Sequence, residues 1–405
     1  MENDNRKNEW EAVMMNEKTK ERCRKLIEEA VSDGITAGVT MLVRRRNEEV
    51  FYTEHGFQNL EEKKPIKRNS IFRLYSMSKP ITGAAAMILM EQGKLDLAQP
   101  VAEILPGYEN VMVEENGMIR SAKKPLTAHH LLNMASGLTY GEEETKAGGM
   151  TQQYIQECME KLDTPQAVTT EEFASHMGAV PLSFEPDSSW HYGLSADILG
   201  AVIEKVSMMR FGEFLETYLF APLGMKDTGF WVPKDKRSRL ADAYESAGNG
   251  KMVPYRGNHL MISYGMGKPP AFESGGAGLV STIDDYARFA QMLLNGGSLD
   301  GVRVMSEKTA RFFTSGKLLP SQQQAMEQWT GLEGYTYSHL MRRCIDPGRT
   351  SGLSCAGEYG WDSYLGSYFA NFPREDMTLL IMQQKKDAGT IPLTRKLRNV
   401  LLSGE

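Results

Sequence analysis

The chain has 405 residues, 41% of them hydrophobic and 24% charged, with a formal net charge of −6. That length exceeds a single ordinary core, which stops growing at roughly 250–300 residues, and implies two lobes with a cleft between them. The acidic balance excludes the basic footprint of a nucleic-acid binder, and no apolar run of about 18 residues offers a membrane span.

The start, MENDNRKNEW, is charged and lacks an apolar core, so no signal peptide is expected and the chain reads as cytoplasmic. From Asn16 to Val31, apolar residues recur at helical spacing and stop at SDG, which predicts a first helix. GVTMLVRRRNEEVFYTEHG predicts two strands joined at Asn47 to Glu49, with Arg44, Arg45 and Arg46 as a solvated strand end. A helix is expected from Ser76 to about Gln92, closed by Gly93. From about Asp96 to Gly265 the chain turns to Met- and Leu-rich helical pieces, with few alternating strand patterns; most of the 25 methionines read as adaptable core filler. STIDDYARFAQMLLNGG predicts a helix with Thr282 as N-cap and Gly296 as its end. YLGSYFANFP and MTLLIMQQ predict two strands around REDM, and LTRKLRNVLL a final helix. The expected fold is therefore α+β. An antiparallel sheet flanked by helices would be built from residues 1–95 and 266–405, with a mainly helical lobe, 96–265, inserted.

Chemistry-bearing residues are few. Cys23, Cys158, Cys344 and Cys355 show no CxxC spacing and the seven histidines no HExxH, so neither a disulfide framework nor a zinc site is expected, and no cofactor is implied. His129 and His130 would point to different faces of a helix. Ser76 and Lys79 stand three apart at the start of an apolar helix, which puts amine and hydroxyl on one face with backbone N–H groups nearby. Pro80 fits a helix start, yet it disfavours the α conformation at Lys79. The same S-x-x-K pattern recurs at Ser121 to Lys124, but there in a polar connection followed by Pro125. A serine hydroxyl needs a base, and a lysine with a reference pKa of about 10.4 is mostly charged at neutral pH, so burial or a second group must help. Tyr192, in EPDSSWHYGLSADILGAVIEKV, is a candidate by position, although a Tyr in such a place is more often a packed core residue. A Ser-His-Asp hydrolase would show G-x-S-x-G. The nearest string, GLSCAG, fails at Ala356, which leaves Ser354 a loop residue and His191 a rim residue.

Taken together, LYSMSKPITG, WHYGLSADILGAVIEKV, YLFAPLGMKDTGFWVP, SGGAGLVSTIDDYARFAQMLLNGG and YGWDSYLGSYFANFP resemble, in order, segments of the serine β-lactamase and penicillin-binding-protein superfamily. The likeness is class C-like, is greatest to the family VIII carboxylesterases, and runs from about Gly38 to about Gln384. It implies Ser76 as the acylated nucleophile, Lys79 as the lysine beside it, and Tyr192 as general acid or base. Which of Lys79 and Tyr192 takes the first proton stays open. It also implies an oxyanion hole from the amides of Ser76 and Trp361, with Leu194, Gly360, Trp361 and Asp362 against the substrate.

Two departures stand out. Glu358, Tyr359 and Gly360 replace the Lys-Thr-Gly of β-lactamases, so a positive pocket for a substrate carboxylate is not expected. Leu194 replaces an asparagine that binds a substrate amide, and leucine cannot make that bond. The implied function is an acyl-serine carboxylesterase acting on small esters, with no nucleic-acid or membrane partner. The alternatives are a β-lactamase or D-amino-acid amidase, an acyltransferase, or a non-catalytic penicillin sensor.

Overall fold

The computed structural model describes residues 15–141, 144–248, 250–329 and 331–404; the expectation drawn from the first ten residues lies outside them. Eight strands form one antiparallel sheet: β1 (Gly38–Arg45), β2 (Glu48–Asn59), β3 (Lys64–Pro65), β4 (Tyr335–Ser338), β5 (Met341–Cys344), β6 (Tyr359–Asp362), β7 (Tyr368–Phe372) and β8 (Met377–Met382). Their order across the sheet is β4-β5-β6-β7-β8-β1-β2-β3, so the two ends of the chain meet where β8 pairs with β1.

The local reasons can be traced. Asn16 caps α1 (Glu17–Ser32) by accepting from Thr19 N at 2.8 Å, and Thr19, Cys23, Ile27 and Ala30 form its buried face. The β1–β2 turn falls at Arg46 and Asn47, one residue earlier than predicted, because a two-residue hairpin loop needs two left-handed residues, and these have φ of 50° and 64°. α2 (Ser78–Glu91) ends before Gly93, as expected, and Thr282 caps α4 (Ile283–Leu294) by accepting from Asp285 N. Between these two lies α3 (Ser195–Ser207), and α5 (Pro392–Ser403) closes the chain.

The sheet is covered on both faces. Val39, Met41 and Val43 of β1, with Leu379 and Ile381 of β8, meet Cys23 and Ile27 of α1 and Leu393 and Leu397 of α5. Leu42, Trp361, Phe369 and Leu380 face the larger core that includes α2, α3 and α4. Burial on both faces explains why MTLLIM in β8 is apolar almost throughout rather than alternating.

Residues 96–265 contribute no strand to this sheet and carry helices such as Lys146–Lys161, Thr170–Met177 and α3. They also hold two hairpins the sequence analysis did not predict, Met112–Glu115 with Met118–Ser121 and Ala243–Ser246 with Met252–Tyr255. The first turns on Asn116 and Gly117, both at positive φ, an Asn-Gly hairpin signal that was there to be read. Among the described residues, no helix is long and apolar enough to cross a membrane.

Candidate active site

Ser76 sits in a 3₁₀ turn (Tyr75–Met77) that runs directly into α2. It is half-buried within a run of buried residues, so its hydroxyl alone in that run stays reachable. Tyr75 before it has φ of 43°, a strained conformation for an aromatic residue, and is held by packing against Tyr364 and His259. Lys79 is helical despite the following proline. Pro80 falls in the first turn of α2, where its missing N–H has no intrahelical acceptor to leave unpaired.

The Lys79 side chain is 0% exposed. Its Nζ lies 3.1 Å from Ser76 Oγ, 3.0 Å from Tyr140 OH and 2.9 Å from the carbonyl oxygen of Gly276. Burial pushes its pKa down to about 7, against the opposing pull of the Asp197 and Asp362 carboxylates. A neutral amine fits these neighbours. Its two N–H groups serve Gly276 O and Tyr140, and its lone pair faces the Ser76 hydroxyl.

Tyr192 completes the cluster from the segment before α3. Trp361 Nε1 donates to its hydroxyl at 2.8 Å, and the Ser76 hydroxyl is near enough to favour its charged form. Lys79 Nζ stands over its ring, 4.6 Å from the centroid. Burial drives the phenol pKa well up, outweighing the opposing effect of Ser76 and Trp361, so Tyr192 holds its proton at neutral pH. Tyr140, Trp329 and Trp361 pack their rings around it at 5.9, 5.0 and 5.4 Å. Gly193 lets this segment approach Leu138, whose carbonyl oxygen would lie 2.1 Å from any Cβ there. Trp361 and Trp329 also line a cavity of about 380 Å³ with Tyr335, Asp362 and Arg395. That cavity therefore shares two walls with the phenol.

Several contributors escaped the sequence analysis. Asp197, in the first turn of α3, accepts from Ser274 Oγ at 2.5 Å and Gly276 N at 3.1 Å, and so aims the Gly276 carbonyl at Lys79. Thr82 Oγ1 ties down the adjacent Gly275 carbonyl at 2.6 Å. The one available signal was an acid buried in an otherwise apolar helix turn, five residues after Tyr192; nothing local marked Tyr140 or Trp329.

A base–nucleophile pair, a protonated phenol on the other side of the serine and a half-open hydroxyl together suit acyl transfer to serine. The beta-lactamase family model matches residues 23–401, nearly the whole chain. The chain belongs to the beta-lactamase family. Esterase EstB of Burkholderia gladioli is 26% identical over 394 residues, 93% of either chain, and Protein Rv1367c of Mycobacterium tuberculosis is 28% identical over 370 residues, 88% of either. Among solved structures, EstCE1, a hydrolase with promiscuous acyltransferase activity, superposes with a TM-score of 0.80 at 23% identity, covering 95% of this chain and 98% of its own. The α+β fold is thus that of the family.

Within this beta-lactamase-family frame, the other expected positions fall as follows. Gly360 is buried in β6, where a Cβ would meet Phe369 O at 2.1 Å, so only glycine lets β6 lie this close to β7. Asp362 is half-buried, accepts from Thr390 Oγ1 and lines the cavity. Leu194 is 1% exposed and packs in the large core rather than on a cleft wall. Leu194→Asn is therefore expected to cost about 1–3 kcal/mol in a denaturant titration, the penalty for a buried amide without a partner, with no gain in β-lactam turnover. Glu358 is turned away from the reaction site toward Arg398 of α5. Ser121 is exposed on a hairpin, Ser354 donates to Glu358, and His191 is half-buried at the rim with its N–H on Met134 O.

Proposed function

We propose that this chain is a serine carboxylesterase acting on small acyl esters through an acyl-Ser76 intermediate. The observation that carries the reading is the fully buried Lys79 amine, its pKa pushed down to about 7, 3.1 Å from the Ser76 hydroxyl. Ser76 Oγ attacks the ester carbonyl and passes its proton to Lys79. The developing oxyanion lies between the amides of Ser76 and Trp361. Pairing of β6 with β5 stops at Gly360, so from Trp361 onward the sheet does not occupy that edge of the backbone. Tyr192 gives its proton to the departing alcohol and recovers one from Lys79. Water then attacks the acyl-serine by the reverse proton path and releases the acid. We assign the first proton to Lys79 because its pKa is pushed down toward neutrality whereas that of Tyr192 is pushed up.

The relationship to Esterase EstB supports an ester rather than an amide substrate. ML-236A carboxylate methylbutanoyltransferase of Penicillium citrinum, 26% identical over 53% of this chain, keeps acyl transfer to an alcohol as the second reading.

The test is a panel of p-nitrophenyl esters of graded acyl length beside a chromogenic cephalosporin and a D-alanyl amide, with and without an added short alcohol. Turnover of esters alone supports the proposal, preferential turnover of either amide substrate defeats it, and product partitioning toward a new ester favours the transferase. The pH profile tests the base. Lys79 must lose its proton to act, so kcat/KM should rise with pH through about 7 and then level. A rise only above about 10 would instead require a Tyr192 phenolate.

A further inference from the structure

Glu358 is 0% exposed, and the reaction just described makes no use of it. Its carboxylate accepts from Arg398 Nη2 at 2.7 Å, Arg342 Nη2 at 3.4 Å, Tyr335 OH at 3.2 Å, Tyr368 OH at 3.3 Å and Ser354 Oγ. These partners come from α5, β5, β4, β7 and the loop before β6. Both arginines are themselves buried and stand over the Tyr368 ring. One carboxylate is therefore the shared ionic partner of two buried cations, and moving it would strand both in a low-dielectric interior. The carboxylate is pinned from five sides, and its own backbone is fixed as well, with Cys344 N donating to Glu358 O at 2.7 Å and Glu358 N to Cys355 O at 3.0 Å.

The consequence lies three residues on. β6 is only four residues long and is paired with β5 at Tyr359 and Gly360 alone. Trp361 thus has a strand neighbour on the β7 side only, yet its indole meets Tyr192, and the strand that carries it lies against the Ser76 turn. β7 pairs with all four residues of β6, and the Glu358 cluster holds the start of the strand from the side of β5, β4 and α5.

We propose that Glu358 is a positioning residue, an ionic anchor that holds β6 so that Trp361 reaches Tyr192 and Ser76. The inference rests on the reading of Ser76, Tyr192 and Trp361 as reaction groups. A position expected to face the substrate instead acts inward, through the strand.

Two variants of the full chain test it, each assayed well below its melting temperature. Glu358→Asp keeps the charge but shortens the reach by one methylene; kcat should fall by about 10- to 100-fold, the usual effect of small misplacement, with KM little changed. In the triple variant Glu358→Met, Arg342→Met and Arg398→Met, apolar side chains replace the whole charge cluster, an exchange that buried ion triads commonly tolerate without loss of stability. It should melt near the parent and still show the lowered kcat, with the limb near pH 7 unmoved because Lys79 is untouched. A purely structural cluster predicts the opposite, full kcat in any variant that melts normally. Parental kcat in Glu358→Asp, or in a well-folded triple variant, overturns the proposal; if the triple variant does not fold, Glu358→Asp decides alone. Trp361→Phe separates the two layers of the argument. Unchanged turnover there defeats the site reading itself, whatever Glu358 does.

Discussion

Ser76→Ala is expected to reduce ester hydrolysis by about 10⁴-fold or more, because it removes the oxygen that the proposed path acylates and that the Lys79 amine faces at 3.1 Å. The two serines that share parts of its pattern should behave differently. Ser121 lies on an exposed hairpin with its Oγ 3.9 Å from Met112 Sδ, and Ser354 is committed to the buried Glu358 carboxylate. Neither has an amine within hydrogen-bond reach, so Ser121→Ala should leave turnover unchanged, and Ser354→Ala should act, if at all, through stability. A fluorophosphonate probe followed by peptide mapping gives the direct readout. Label on the peptide containing Ser76 is the expected result, and label on Ser354 would reassign the nucleophile.

The second large effect concerns the proton path. Lys79→Ala and Tyr192→Phe should each lower kcat by at least about a hundredfold, the scale of positioned acid–base catalysis. The double variant should be little worse than the worse single one, because the proposed proton path runs through both: Lys79 lies 3.1 Å from Ser76 Oγ, and its amine stands over the Tyr192 ring. Losses that multiply would mean the two side chains serve separate steps. Stability should respond in a different order. Lys79→Ala deletes an amine whose charged form the interior disfavours, so it should not unfold the protein, and Tyr192→Phe leaves Trp361 Nε1 without its acceptor. A thermal melt of each variant separates lost chemistry from lost fold.

Contacts within a few residues were legible in the sequence. Helix spacing placed Lys79 beside Ser76, caps and glycines located α1, α2 and α4, and the apolar runs of β7 and β8 announced strands. Tyr192 was a candidate by position, but its role came only through resemblance, since 116 positions separate it from Ser76 and no periodicity spans that gap. Tyr140 and Gly276 were not legible at all. They reach Lys79 from 61 and 197 positions away, Gly276 through a loop that Asp197 holds.

Glu358 and Leu194 mark the boundary between the two kinds of information. By itself the sequence determined which chemical groups occupy those positions, an acid where a cation was expected and an apolar side chain where an amide was expected, and it determined the serine–lysine pair and the order of the elements. The tertiary structure alone decided where those groups point: Glu358 inward to Arg342 and Arg398, Leu194 into the core, and the Lys79 amine into a pocket that strips it of water. The reason is physical. Residue type and short-range spacing are properties of the chain, but side-chain direction follows from strand register and helix packing, and a depressed lysine pKa follows from desolvation by segments distant in sequence.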